Sequence, residues 1–213
     1  MRIAILLFDK MTALDAIGPY EVLRFAADAE VVFTGKKVGE VRAGAGTLGL
    51  VVDRPLAEVP SADILLVPGG PGQVDLMDDA EVLEWLRQVD QTSSWTASVC
   101  TGSLVLAAAG LLDGRKATTH WLAMDQLSAY GVVPTERRVV FDGKYVTAAG
   151  VSAGIDMALE LANRIAGDTA AQAIQLGLEY DPQPPHDAGS PNKAPAEIVA
   201  NMRENSRFFL QET

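Results

Sequence analysis

The only cysteine of this chain, Cys100, stands in the stretch "SWTASVCTGSLVLAAAGLL", residues 94–112. A lone cysteine is ordinarily a small buried apolar residue. Its neighbours here support a second reading. A β-rich run from Thr96 to Val99 leads into it, and a helical run from Gly102 leads away. Strand–nucleophile–helix turns of this kind present a reactive atom at the end of a sheet, as in the G-x-S-x-G elbow of serine hydrolases. Ser98-Val99-Cys100-Thr101-Gly102 keeps the downstream glycine and has serine in place of the upstream one. A helix N-terminus favours the thiolate and lowers its pKa, so this context predicts a nucleophilic Cys100.

A nucleophile needs a group that handles protons, and this chain offers few. In "LDAIGPYEVL" (14–23) Asp15 is read between a strand and a helix, where its carboxylate either caps the turn or points into a cleft at the sheet edge. Apolar Leu14, Ala16 and Ile17 beside it would desolvate the carboxyl and raise its pKa, which suits a general acid. Glu21 is the second carboxylate candidate. His120, in "ATTHWLAMDQL", is an accessory candidate at a helix start, as a dyad partner or as a cap. "VPGGPG" (67–72) lacks the Lys-Ser/Thr of a phosphate loop. Its amides at Gly69 and Gly70 can instead hold a developing negative charge beside the sulfur.

The elements that must position these groups alternate between β-rich and helical, the pattern of a parallel sheet with crossover helices. "RIAILLF" (2–8) reads as a buried central strand with "EVVFT" (30–34) as its neighbour, and Gly18-Pro19 opens a helix through about Ala27. "ADILLVPGGPG" (62–72) is a buried strand entering the glycine-rich loop. An amphipathic helix follows over 79–91, with Val82, Leu83, Leu86 and Val89 on its apolar face. Residues 102–112 read as a helix apolar all round, hence buried. Asp142-Gly143 between two β-rich runs predicts a hairpin. Helices are expected over 152–167 and 168–180, then an extended loop over 181–195 and a last helix to about Leu210.

The 213 residues suffice for one domain with a full core, expected to span 1–213. A single cysteine allows no internal disulfide and suits a reducing cytoplasm. The short apolar run at the N-terminus meets Asp9, which argues against a signal peptide, and no long apolar stretch predicts a membrane span. A formal charge of -11 disfavours nucleic acid as a partner. Two histidines far apart and one cysteine offer no metal-ligand set, so metal sites are expected to be absent.

"LDAIGPYEVL", "ILLVPGGPG", "SVCTGSLVLAAAGLLDGRKATTHW" and "VTAAGVSAGIDMALEL" together resemble the ThiJ/PfpI superfamily, relatives of the class I glutamine amidotransferase fold. The tail "LGLEYDPQPPHDAGSPNKAPAEIV" is most similar to its isocyanide hydratase branch. The resemblance implies an α/β, flavodoxin-like three-layer sandwich with a mostly parallel central sheet, a cysteine elbow and a homodimer. It implies Cys100 as nucleophile, Asp15 as general acid/base, and Thr101 as a backbone and side-chain donor. Gly70 matches the glycine whose amide faces the sulfur, and Val151 and Ser152 match the loop near the cysteine. Thr101 stands where the peptidase-like branch has histidine, and Asp15 where glyoxalase-like members have glutamate. The implied reaction is cofactor-independent hydration of a small-molecule isocyanide to an N-substituted formamide. "LDxxGPxEV" and "TTHW" are shared with the sensor halves of AraC-type regulators, so a ligand-sensing module and a glyoxalase-like thiol enzyme remain the alternatives.

Overall fold

The computed structural model describes residues 1–26 and 28–206. Eleven strands are found among them: β1 (Arg2–Leu6), β2 (Glu30–Gly35), β3 (Gly39–Ala43), β4 (Leu48–Val52), β5 (Arg54–Pro55), β6 (Ile64–Val67), β7 (Trp95–Val99), β8 (Lys116–Ala117), β9 (Val133–Pro134), β10 (Val139–Asp142) and β11 (Tyr145–Ala148). The α-helices are α1 (Ala13–Leu23), α2 (Gln73–Met77), α3 (Ala80–Asp90), α4 (Gly102–Ala108), α5 (Met124–Leu127), α6 (Ala153–Ala166), α7 (Asp168–Gly177) and α8 (Ala196–Glu204).

Strands β1, β6 and β11, each flanked by a strand on both sides, are apolar along nearly their whole length, as strands buried on both faces must be. Seven strands pair in the order β10-β11-β7-β6-β1-β2-β5, parallel throughout except for the β10–β11 hairpin. Helices form the outer layers: α1 packs on α6 and α6 on α7, whereas α2 and α3 pack on α4. Ile3, Ile5, Leu65, Leu66, Leu104 and Leu106 are wholly buried between the layers. This is the expected three-layer α/β sandwich. From β1 the chain crosses to β2 on one side, and from β6 it crosses to β7 on the other. The crevice opened at such a reversal, beyond the C-terminal ends of the strands, is where doubly wound sheets place their ligands. Asp15 follows β1 and the glycine loop follows β6, so both arrive there.

Several local expectations need correction. Gly18-Pro19 does not open α1, which begins at Ala13 and carries Pro19 inside it. Proline has no N–H, so the carbonyl four residues earlier, that of Asp15, receives no bond from it within the helix. Gly18 tolerates this crowded stretch because a Cβ there would meet Ile155 Cγ1 at 3.0 Å. Helix α4 ends at Ala108 rather than near 112, and the chain turns at Gly110 with φ +78°. The β3–β4 hairpin and the short β8–β9 pair were not expected. Ala27 and the stretch from 207 to Leu210, assigned to helix ends from sequence, lie outside the described residues. Among the described residues, no helix is long and apolar enough to cross a membrane.

The hairpin at Asp142-Gly143 is present, with Gly143 at φ +62° opening its two-residue turn. At the N-terminal end of the sheet a buried carboxylate ties three elements together. Asp90, at the end of α3, accepts from Thr96 Oγ1 (2.6 Å) on β7 and from Tyr145 Oη (3.0 Å) on β11, and pairs with Lys144 Nζ at 3.0 Å. Burial and this carboxylate push the Tyr145 phenol up to about 12. Thr96→Val removes one donor without changing shape, and urea unfolding should show a loss of about 1–3 kcal/mol. An unchanged midpoint would mean that the Thr96 bond contributes nothing to the fold.

Candidate active site

Cys100 follows β7 directly, and its backbone sits at φ +57°, a left-handed conformation that non-glycine residues rarely adopt. Its N–H donates to the carbonyls of Ala148 and Ala149, both at 3.1 Å, and its own carbonyl accepts from Thr119 Oγ1 (2.9 Å) and Ser103 Oγ (3.3 Å). The elbow is crowded. A Cβ on Gly102 would lie 2.1 Å from the Val67 carbonyl oxygen, and one on Gly69 would lie 2.4 Å from the Thr101 nitrogen. Only glycine lets the β6 loop and the cysteine turn approach this closely.

The structure brings Asp15 and Cys100 together in one site: both residues are wholly buried, the cysteine side chain acts on the carboxyl, and Asp15 Oδ1 has no hydrogen-bond partner among the described residues. Asp15 lies in the first turn of α1, not ahead of it. Its Oδ2 accepts from the Gly69 N–H at 3.0 Å, and Thr12 N–H returns a bond to the Gly69 carbonyl at 2.8 Å. Gly70, at φ +127°, donates its N–H to Thr101 Oγ1 at 2.9 Å. Both glycine amides expected to face the sulfur are therefore engaged by side chains. The groups that do donate to the sulfur are the backbone N–H groups of Thr101 and Val151 and the Thr101 hydroxyl. Gly70 thus acts through Thr101, fixing the hydroxyl that reaches the cysteine.

Val151 also has a left-handed backbone, φ +39°, which aims its amide at the sulfur just before α6. Ser152 is exposed and its hydroxyl accepts from the Arg138 guanidinium at 3.3 Å. His120 Nδ1 accepts from the Leu122 N–H at 3.3 Å, which is the capping arrangement, and its ring abuts Gly150, where a Cβ would be 2.7 Å from Cδ2. Glu21 pairs with Arg24 at 2.8 Å on the exposed side of α1. Sequence reasoning missed Thr119 and Ser103, and assigned Gly69 to the wrong partner. Adjacency of Gly69 to Gly70 was a signal; nothing local marked Thr119. Among the described residues no cluster of three His, Cys, Asp or Glu side chains is placed to hold a metal.

Electrostatically, the pair shares one site from which water is excluded. Burial pushes the Asp15 carboxyl up to about 7, against the opposing pull of the Gly69 N–H and the Cys100 side chain. Burial also pushes the Cys100 thiol up, and the Asp15 charge adds to the effect. The N–H groups of Thr101 and Val151 and the Thr101 hydroxyl pull it down only in part. The lowered thiol expected from the elbow is thus not what this environment produces. The site instead holds a thiol and a carboxyl that compete for negative charge.

The raised Asp15 pKa has a consequence for stability. The folded state retains a proton that the unfolded chain, with the carboxyl near its ordinary 3.8, gives up, so stability falls as pH rises from about 4 to about 7. Asp15→Asn removes the buried charge while keeping an acceptor for the Gly69 N–H. Above pH ~7 the variant should be more stable than the wild type by on the order of 2–4 kcal/mol, with the difference vanishing below pH ~4. Thermal melts across that range check the sign; equal melting temperatures at every pH would refute the shift.

Residues 1–164 match the model of the DJ-1/PfpI family. The chain is 43% identical over 211 residues to the isonitrile hydratase of Pseudomonas putida, covering 99% of this chain and 92% of that protein. It is 33% identical over 176 residues to the HTH-type transcriptional regulator CdhR of Pseudomonas aeruginosa, covering 81% of this chain and 52% of the regulator. A crystal structure of a ThiJ/PfpI family protein from Pseudomonas syringae superposes with a TM-score of 0.92 at 38% identity, over 95% of this chain and 84% of that one. With its glycine-crowded cysteine elbow and a match over most of its length, this chain belongs to the DJ-1/PfpI family.

Proposed function

We propose that this chain is an isocyanide hydratase, converting R–N≡C and water to R–NH–CHO through Cys100 and Asp15. The observation that carries the reading is the burial of Asp15 and Cys100 in one site, with the carboxyl pushed up to about 7 and its Oδ1 left without a hydrogen-bond partner among the described residues. Similarity to the Pseudomonas putida isonitrile hydratase along almost the whole chain supports the substrate class.

The terminal carbon of an isocyanide accepts both a nucleophile and a proton. Asp15 takes the thiol proton as sulfur attacks that carbon, then delivers it to the same carbon, giving the thioimidate R–N=CH–S–Cys100. Asp15, again a carboxylate, draws a proton from water as the oxygen adds to the carbon, and that proton passes to nitrogen. As the adduct collapses, Asp15 takes the hydroxyl proton, the Cys100 thiolate leaves, and the formamide is released; the proton then returns from Asp15 to the sulfur, which restores the thiol. Amides of Thr101 and Val151 hold the charge on sulfur when it leaves. The enzyme would thus replace one difficult hydration by two covalent steps.

Incubation with an aromatic or alkyl isocyanide, with formamide followed by chromatography, tests the reading. Cys100→Ala should abolish turnover, and Asp15→Asn should lower kcat by roughly 10²–10⁴-fold, the range for removal of a general acid/base. Undiminished turnover by either variant would falsify the assigned roles. Similarity to CdhR favours one second reading, a ligand-sensing module, for which the wild type binds isocyanide and forms no formamide. A homodimer is part of the proposal: α8 has no buried residue yet presents Ile198 and Met202 to solvent. Light scattering should give twice 22.6 kDa, and a monomer mass rejects it.

A further inference from the structure

Thr119 belongs to none of the segments that touch the Asp15 carboxyl, yet it is wholly buried and its Oγ1 donates to the Cys100 carbonyl at 2.9 Å. Ser103 Oγ reaches the same oxygen at 3.3 Å. That carbonyl is one end of the peptide unit whose other end is the Thr101 N–H, a donor to the sulfur. A peptide unit is planar, with its C=O and N–H fixed in opposite directions. Whatever grips the oxygen therefore sets the aim of the nitrogen. A hydrogen bond accepted by the carbonyl also polarises the unit, strengthening the N–H as a donor by about 10–30%.

The anchorage of Thr119 fits such a role. Its neighbour Thr118 donates its backbone N–H to Thr147 Oγ1 on β11 at 2.9 Å, which ties the segment to the sheet beside the elbow. The Cys100 N–H is already fixed on the Ala148 and Ala149 carbonyls of the same strand end. With the nitrogen side of Cys100 held by β11 and the oxygen side held by Thr119, the φ of +57° is clamped from both directions.

We infer that Thr119 is a positioning residue for the nucleophile: its hydroxyl, by gripping the Cys100 carbonyl, aims and strengthens the Thr101 N–H that holds negative charge on the sulfur. The inference rests on reading Cys100 as the nucleophile and is independent of which substrate it attacks.

Because the chain has a single cysteine, consumption of its thiol by hydrogen peroxide, followed by intact mass, reports on Cys100 alone. Thr119→Val keeps the shape and removes the donor. It should slow peroxide consumption roughly threefold to tenfold, the effect of losing one hydrogen bond to the site, by the same factor at each pH from about 6 to about 8. Thr119→Ser, which restores the hydroxyl, should return the rate to within about twofold of wild type. With an isocyanide as substrate, kcat should fall in step while KM stays put. Should the valine variant fail to fold, Thr119→Ser and Thr119→Ala differ only in the hydroxyl and provide the same comparison. Equal peroxide rates for wild type and Thr119→Val, or for the serine and alanine variants, zero included, overturn the inference. A wild type that makes no formamide overturns the hydratase reading alone, because the peroxide comparison needs no substrate.

Discussion

Cys100 is held at φ +57°, a conformation that costs an ordinary residue roughly 1–2 kcal/mol, and the elements around it are arranged to keep it there. The last residue of strand β11, Ala148, and Ala149 just beyond it supply two carbonyls for its N–H, and Thr119 and Ser103 supply two hydroxyls for its carbonyl. Gly69 and Gly102 remove the Cβ atoms that would drive the β6 loop off the elbow. The approach of that loop in turn delivers the Gly69 amide to Asp15 and the Gly70 amide to Thr101. Relaxing the cysteine backbone would thus loosen the carboxyl and the threonine along with the sulfur.

Electrostatics at the elbow runs against the usual expectation for a reactive thiol. A short helix and two amides do favour the thiolate, but complete burial beside a carboxyl outweighs them. Asp15 feels the same burial and rises to about 7, close enough to neutrality for both of its protonation states to be within reach. A carboxyl so placed is suited to accepting the thiol proton and returning it. The cost is a polar pair buried in the core, with Asp15 Oδ1 lacking a hydrogen-bond partner among the described residues, whereas both oxygens of Asp90 at the other end of the sheet are engaged.

The readable part of this architecture was the part set by periodicity and turn chemistry. Continuous apolar runs at 2–8 and 62–67 marked buried strands, Asp142-Gly143 marked the hairpin, and a strand against a helix around Cys100 marked the elbow. Pro19 misled because proline is favoured at the first position of a helix, whereas here α1 carries it inside, against Gly154 of α6. The β3–β4 hairpin was hidden because its strands are half-exposed and its connection is rich in glycine, with Gly44 and Gly46 at positive φ. Thr119 could not be found from sequence at all. Its role depends on a carbonyl nineteen residues away that only the tertiary fold brings within reach.

Parallel pairing also governs the order in which this site comes into being. Gly69 and Asp15 are separated by 54 residues, and they meet only once β6 has docked on β1. The Cys100 amide finds its acceptors only when β11 has closed on β7. Contacts between such distant segments form late, since the entropy of closing long loops must be overcome before they stabilise anything. A partly folded chain therefore carries an ordinary exposed thiol, and the special chemistry of Cys100 is a property of the completed sheet.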